Sequence, residues 1–208
     1  MTAVVCIKAG PKYPTDYANK LFRAVRRNGH AGRFYCLTDD PSGLERDIIA
    51  LPVSPLCQGW WHKIYLFSWD HGIDARLLYM DIDMVVTGSL EDFLGYDGAF
   101  ATGSRFNKPN EINSTIMSIP AGYGRGIWTT FMRFRTRAMR SFRLDSEFIE
   151  AVNGAKTERW QDMFPGQLVS YKKHVRGGSL PEGARLVSFH GKPDPEDVDE
   201  DFVKLFWV

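Results

Sequence analysis

The chain has 208 residues, of which 44% are hydrophobic and 25% are charged, and its formal net charge is +1. A chain of this length and composition can bury one substantial core, so we predict a single domain over residues 1–208. No apolar run reaches the roughly 18 residues that a membrane-spanning helix needs, and no secretory signal is recognisable, so we expect a cytoplasmic location. The spacing of the three cysteines matches neither a disulfide framework nor a zinc site.

In chain order, short apolar runs alternate with amphipathic segments in the first half of the chain, and the second half is less regular. Strands are predicted at residues 3–7, 33–37, 48–51, 77–80, 99–101, 112–119 and 186–189. Helices are predicted at residues 17–25, 60–69, 123–142 and 146–152, the first with Thr15 as its N-cap. This alternation indicates an α/β fold with a mainly parallel sheet, in which ligands bind at the carboxyl ends of the strands.

Two acids, Asp81 and Asp83, directly follow the apolar run that ends at Met80, with Ile82 between them. At the carboxyl end of a strand, both carboxylates can reach one divalent cation, and phosphate oxygens can complete its coordination. The alternative is a solvated acidic turn. Unpaired charges beside a buried strand cost several kcal/mol, however, and a bound cation removes that cost. We therefore predict a site for Mn²⁺ or Mg²⁺ at these two acids.

Six short segments, beginning shortly before the two acids, form a series along the chain. They are Trp61-His62-Lys63-Ile64, Leu78-Tyr79-Met80-Asp81-Ile82-Asp83, Ser89-Leu90-Glu91-Asp92-Phe93, Ile112-Asn113-Ser114-Thr115-Ile116-Met117, Trp160-Gln161-Asp162-Met163-Phe164 and Phe189-His190-Gly191-Lys192-Pro193. In this order they resemble the motifs of glycosyltransferase family 8, which includes glycogenin and bacterial lipopolysaccharide galactosyltransferases. The series departs from the family pattern at Thr115, where the family has Gly, and at Trp160, where it has an acid. The closing motif is shortened, and Asp194 stands in place of Trp.

The resemblance implies a single GT-A-like domain, the fold of nucleotide-diphospho-sugar transferases. It implies transfer of a sugar from a nucleotide-sugar donor, a UDP-sugar, to an unidentified acceptor with retention of anomeric configuration. We expect residues 1–94 to form the nucleotide-binding half, which ends with the D-x-D motif, and residues 95–208 to form the acceptor-side half.

The resemblance also implies roles for individual residues. Asp81, Asp83 and His190 would bind the metal, and Asp162 and Lys63 would act at the reaction centre. His190 would reach the same edge as Asp81 if the strand that ends at Phe189 lies in the central sheet and runs parallel to the strand of Asp81. The donor would be contacted by Tyr13, Lys63, Asp81, Ile82, Asp83, Asn113, Gln161, Gly191 and Lys192.

Considered as side chains alone, several of these residues have plainer explanations. Lys63 could extend to solvent from an aromatic helix, and Tyr13 could pack in a turn. Asp162 could stabilise the dipole at a helix N-terminus. His190 could be an ordinary residue at a strand end, and Lys192 an ordinary surface lysine.

Five arginines crowd the second half of the predicted helix 123–142 and the residue after it: Arg133, Arg135, Arg137, Arg140 and Arg143. The plain interpretation is the solvated face of an amphipathic helix. The alternative is a surface for an anionic acceptor, including nucleic acid.

Two other functions compete with sugar transfer. A phosphatase of the haloacid dehalogenase type also has a D-x-D motif after an apolar strand, but it needs a second acid pair after a later strand. The late acidic stretch, residues 194–201, follows Pro193 and not a strand. The other is a catalytically silent domain that binds a sugar nucleotide.

Overall fold

The computed structural model describes residues 2–154 and 157–208. Within these residues the strands are β1 (Ala3–Lys8), β2 (Phe34–Thr38), β3 (Ile48–Pro52), β4 (Leu77–Met80), β5 (Val85–Val86), β6 (Ala101–Arg105), β7 (Lys108–Ile119), β8 (Glu158–Arg159), β9 (Leu168–Ser170) and β10 (Leu186–Ser188). The α-helices are α1 (Asp16–Arg27), α2 (Glu91–Gly95), α3 (Arg125–Ser141), α4 (Asp145–Asn153), α5 (Trp160–Met163) and α6 (Asp201–Phe206). None of the helices described has the length and apolar composition needed to cross a bilayer.

In this part of the chain, a seven-stranded central sheet has the strand order β3-β2-β1-β4-β7-β6-β8. β1 pairs in parallel with β2 and β4, β2 pairs in parallel with β3, and β6 pairs in parallel with β8. β7 runs antiparallel between β4 and β6. All strands of this sheet except β7 therefore run in one direction, which confirms the predicted α/β fold with a mainly parallel sheet.

The two faces of the central sheet are covered by different helices. On one face, Val4 and Met80 belong to the same buried cluster as the apolar side of α1. On the other face, Val5 and Tyr79 are buried together with the aromatic residues of a 3₁₀ helix, Gly59–Phe67, and of α3. Burial on both faces explains why β1 and β4 are continuous apolar runs in the sequence. It also explains why these strands were predicted to within a residue of their ends.

A second sheet of three strands has the order β5-β10-β9 in the described residues. β10 runs antiparallel to β5 and parallel to β9. The expectation that the strand before His190 lies in the central sheet, parallel to the strand of Asp81, is therefore wrong. β5 and β10 have only two and three residues, and such short segments show no periodicity that would reveal their partners.

Candidate active site

The D-x-D motif lies at the carboxyl edge of β4, where the chain makes a tight turn. The amide of Asp81 donates to the carbonyl oxygen of Thr115 at 2.9 Å, which extends the pairing of β4 with β7 by one residue. The amide of Met84 then donates to the carbonyl oxygen of Asp81 at 3.2 Å and closes the turn. Ile82 and Met84 are buried in the core and hold the turn in place. The side chains of the two acids line a cleft.

This cleft has a volume of about 330 Å³ and lies between the loop after β1, the 3₁₀ helix and the end of β4. Five of the residues that were predicted to bind the donor or the metal line it: Tyr13, Lys63, Asp81, Ile82 and Asp83. Tyr13 and Lys63 lie 70 and 18 positions from the acids they contact. The fold has therefore brought together residues from three separate segments.

Lys63 is held between carboxylates at the base of the cleft. Its Nζ lies 2.7 Å from Oδ1 of Asp81 and 3.4 Å from Oγ of Ser114. Ser114 in turn donates to Oδ2 of the fully buried Asp145 at 2.6 Å, and Tyr79 donates to Asp81 from below. Burial by itself would lower the pKa of Lys63, but the charges of Asp81 and Asp145 outweigh it and the pKa is raised. Lys63 is thus a fixed positive charge and does not extend freely to solvent.

The hydroxyl group of Tyr13 links the side chain of Asp83 to that of Asp194, in the C-terminal part of the chain. The Tyr13 hydroxyl lies 2.9 Å from Oδ2 of Asp83, to which it donates, and 3.4 Å from Oδ1 of Asp194. Oδ2 of Asp194 pairs with Nζ of Lys192 at 2.9 Å. Asp194 is therefore buried and contributes a carboxylate beside the D-x-D motif.

The carboxyl group of Asp83 is 8% exposed and has no cation in direct contact among the described residues. Burial, followed by the nearby charge of Asp81, raises its pKa from 3.8 to about 7, against the opposing hydrogen bond from Tyr13. The two acids thus form a pair that resists holding two negative charges at once. A cation bound at this pair would therefore be electrostatically favourable.

Three other predicted site residues do not line this cleft, and two of them make hydrogen bonds within the protein. Oδ1 of Asn113 accepts from the amide of Thr115 at 2.8 Å. The side-chain amide of Gln161 exchanges hydrogen bonds of 2.8 and 3.0 Å with the backbone of Ser104, and so acts as a partner for the edge of β6. Asp162 is exposed in the first turn of α5. Their roles at the donor and the reaction centre stay predictions.

His190 does not line the cleft. Its Nε2 is 2.7 Å from Oγ of Ser170, and its ring stacks on Phe106 at a centroid distance of 5.9 Å. Among residues 2–154 and 157–208, no three His, Cys, Asp or Glu side chains converge in a way that would hold a metal ion. A role for His190 as the third ligand stays a prediction, and it requires the ring to leave Ser170.

The two residues after His190 are also outside the cleft. Gly191 has φ of +65°, which favours glycine at this turn. The ammonium group of Lys192 pairs with Asp194 and Asp197, each at 2.9 Å, and its side chain is 72% exposed. Contact of these residues with a diphosphate stays a prediction.

Sequence reasoning missed several residues of the site. His62 lines the cleft and is 8% exposed, yet its buried Nδ1 has no hydrogen-bond partner in the described structure. Burial lowers the pKa of this imidazole, so it is neutral at pH 7. Trp60, 53% exposed, also lines the cleft. In the sequence, both residues lie within three positions of Lys63, which could have indicated them. Nothing in the sequence indicated Asp145.

The chain is similar in structure to solved glycosyltransferases. The chain superposes on the glycosyltransferase GlyE of Streptococcus pneumoniae TIGR4 with a TM-score of 0.74 at 14% identity, over 100% of this chain and 60% of GlyE. It superposes on the galactosyltransferase LgtC, solved with donor and acceptor sugar analogues, with a TM-score of 0.68 at 12% identity, over 93% of this chain and 88% of LgtC. The chain has a GT-A fold. A further match, the bifunctional WbbM, has a TM-score of 0.63 at 10% identity, over 98% of this chain and 48% of WbbM.

The GT-A fold was predicted from the motif series, and these superpositions confirm it. No protein-family model matches the chain, and no curated protein is similar to it. Membership of family 8 therefore stays a prediction, as do the two halves 1–94 and 95–208. The chain spans 60% of the length of GlyE.

Proposed function

We propose that this chain is a metal-dependent glycosyltransferase that transfers a sugar from a UDP-sugar to a hydroxyl group of an acceptor, with retention of configuration. The observation that carries the proposal is the cleft in which Asp81, Asp83 and Lys63 meet at the carboxyl edge of β4. The GT-A fold supports sugar transfer in general. UDP as the nucleotide and retention are supported by the resemblance of the motif series.

Mn²⁺ or Mg²⁺ fits the chemistry of the cleft. Hard divalent cations prefer carboxylate oxygens, and the raised pKa of Asp83 reports a buried carboxyl group that lacks a compensating charge. Asp81 and Asp83 would hold the cation, and oxygens of the diphosphate and of water would complete its coordination. When bound, the cation supplies Lewis-acid chemistry, neutralising charge on the departing nucleotide.

The protein's own residues then have separate tasks. Lys63 would present its ammonium group to the diphosphate from the base of the cleft, and Ser114 and Asp145 keep that group in place. Tyr13 donates to Asp83 and fixes the orientation of its carboxylate. A fixed charge stabilises a leaving group more effectively than a mobile one, since no reorganisation is needed during the reaction.

Titration calorimetry with UDP, with either Mn²⁺ or a chelator present, tests the proposal. We expect tight binding with Mn²⁺ and little binding with the chelator. At a ligand concentration of about one hundred times Kd, the native state gains about 2.7 kcal/mol, which is about 6 °C in Tm for a chain of this size. Asp83→Asn should abolish this gain. Asp74→Asn, an exposed acid before the amino end of β4, is the matched control.

Turnover separates an active enzyme from a silent binding domain. Release of UDP from UDP-glucose or UDP-galactose should be measurable with the wild-type protein and absent in Asp81→Asn. Binding of UDP without any release from either donor, with and without a panel of sugar acceptors, would favour the silent domain. Equal binding of UDP with Mn²⁺ and with the chelator would contradict the metal-dependent site.

The phosphatase alternative is not favoured. Its second acid pair would have to come from residues 194–201, and the strand before that stretch, β10, ends at Ser188 in the second sheet. Asp194 does approach the D-x-D motif, but it does so through Tyr13 and pairs with Lys192.

A further inference from the structure

We infer that a second groove, next to the cleft, binds the acceptor through a phosphate group, which makes the acceptor a phosphate-bearing glycan. This inference rests on the proposed function. The groove has a volume of about 470 Å³ and lies between α3 and residues 55–58. We call it the arginine groove and define it by Pro55, Leu56, Cys57, Gln58, Arg135, Thr136, Met139 and Arg140.

The charge of the segment that forms one wall of this groove is unusual. Residues 121–144 contain six arginines and not one Asp or Glu. Across the described structure, Arg143 is the one member of this set with a carboxylate oxygen within 4.0 Å, from Glu147 at 3.9 Å. A solvated helix face usually carries both signs of charge. The remaining guanidinium groups of the segment are therefore positive charges without an internal counterion.

Two arginines of α3 line the groove, together with Thr136 and Met139. Arg135 and Met139 lie one helical turn apart, as do Thr136 and Arg140. Arg135 is half-buried and lines the groove beside the buried Cys57. Arg140 is exposed. Two guanidinium groups on one concave surface match the geometry of a phosphate, which they bind through paired hydrogen bonds.

The arginine groove adjoins the cleft where residues 55–58 lead into the 3₁₀ helix. Gln58 lines the groove and Gly59 lines the cleft, and consecutive Cα atoms are about 3.8 Å apart. A ligand anchored in the groove can therefore extend a hydroxyl group toward the reaction centre.

The groove also offers apolar contact beside its charge. Leu56 is 43% exposed and Trp60, at the boundary with the cleft, is 53% exposed. An exposed aromatic ring next to a phosphate site is suited to a sugar ring, which presents apolar C–H faces and polar edges. A volume of about 470 Å³ lies in the range of small-ligand sites.

Calorimetry with glucose 6-phosphate, glucose and inorganic phosphate tests the inference, with saturating UDP and Mn²⁺ filling the cleft. We expect glucose 6-phosphate to bind and glucose not to bind. In the double variant Arg135→Gln/Arg140→Gln the affinity should fall by at least about tenfold, because charge-assisted hydrogen bonds are lost. Arg125→Gln removes the same kind of charge from the far end of α3, roughly 20 Å away, and should leave the affinity unchanged.

Several results would overturn the inference. Glucose 6-phosphate bound equally by the double variant, or bound only when UDP is absent, would mean that the phosphate occupies another site. The wild-type protein could instead sediment with vesicles of phosphatidylglycerol and phosphatidylcholine, while the double variant does not and neither protein binds glucose 6-phosphate. That result would identify the arginine groove as a membrane-binding surface. The binding of UDP and Mn²⁺ by each variant is measured in the same samples. If UDP does not bind the wild-type protein, the proposed function fails, whereas intact UDP binding without binding of the sugar phosphate overturns the groove alone.

Discussion

Replacing Asp83 by Asn should make the ligand-free protein more stable at alkaline pH. The pKa of Asp83 is about 7 in the folded protein against an ordinary value of 3.8. Since a tenfold change in an ionisation equilibrium is about 1.4 kcal/mol, this difference amounts to about 4 kcal/mol. The folded pKa is raised, so the stabilising contribution is fully present below pH 3.8 and is lost as the pH rises through about 7. Asn has the same shape, can still accept from Tyr13 and does not ionise.

The assay is thermal unfolding in metal-free buffer at about pH 4 and about pH 8. The stability of Asp83→Asn relative to wild type should increase by about 4 kcal/mol between these two values, which for this chain length is about 9 °C in Tm. Mn²⁺ together with UDP at the higher pH should stabilise the wild-type protein and not the variant. Asp74→Asn provides the control, because its exposed carboxylate should show no comparable change between the two pH values.

The reasoning would be refuted by a difference in Tm between Asp83→Asn and wild type that is the same at both pH values. Such a result would mean that Asp83 ionises at its ordinary pKa, so that its burial beside Asp81 is relieved in solution. A variant that is less stable than wild type at the higher pH would also contradict it. In that case the Tyr13–Asp83 hydrogen bond would contribute more than the charge costs.

Two further predictions concern residues around the cleft. Lys63→Met should destabilise the protein by about 3 kcal/mol in urea unfolding, because it removes the ion pair of the partly buried Asp81. Lys20→Met removes a longer and more exposed pair, 3.6 Å from Asp16, and should change stability by less than about 1 kcal/mol. Similar losses in the two variants would contradict this. His62→Phe should raise the Kd for UDP about tenfold without lowering Tm, because His62 lines the cleft and its Nδ1 has no partner in the described structure to lose. His71→Phe is its matched control, since His71 accepts from Ile73 and bonds the carbonyl of Leu66; it should lower Tm and leave the Kd unchanged, and the reverse pattern would count against a ligand role for His62.

The parts of the fold that could be predicted are those whose signals are local. β4 is a run of four fully buried residues, and the expected bounds 77–80 agree with it. α1 has apolar residues at helical spacing and an acid in its first turn, and Thr15 is at the N-cap, although its side chain makes no capping hydrogen bond. The second sheet was not predicted, because pairing between segments of two or three residues depends on contacts that the sequence does not encode locally.

The same distinction applies to the site. Asp81, Asp83 and Lys63 were found because acids that interrupt an apolar run, or a lysine among aromatic residues, stand out in the sequence. Asp145 was missed because it follows Arg143-Leu144 and precedes Ser146-Glu147, a polar stretch typical of a helix N-terminus. Its importance arises from Ser114, 31 positions earlier, which no local pattern indicates. His190 was expected at the cleft because the position of its strand was inferred from the central sheet alone.

The contact between Tyr13 and Asp194 has a consequence for how the protein is made. These residues are 181 positions apart, and Trp207, still later in the chain, packs its ring against Tyr17 at 5.1 Å. A ribosome adds roughly 5–20 residues per second, so Asp194 emerges about 6–22 seconds after Asp83. During that interval the N-terminal strands can pair, but Asp83 and Tyr13 lack the segment that later covers them. Chaperones and proteases therefore meet a nascent chain whose sheet is largely formed and whose cleft is still open on one side.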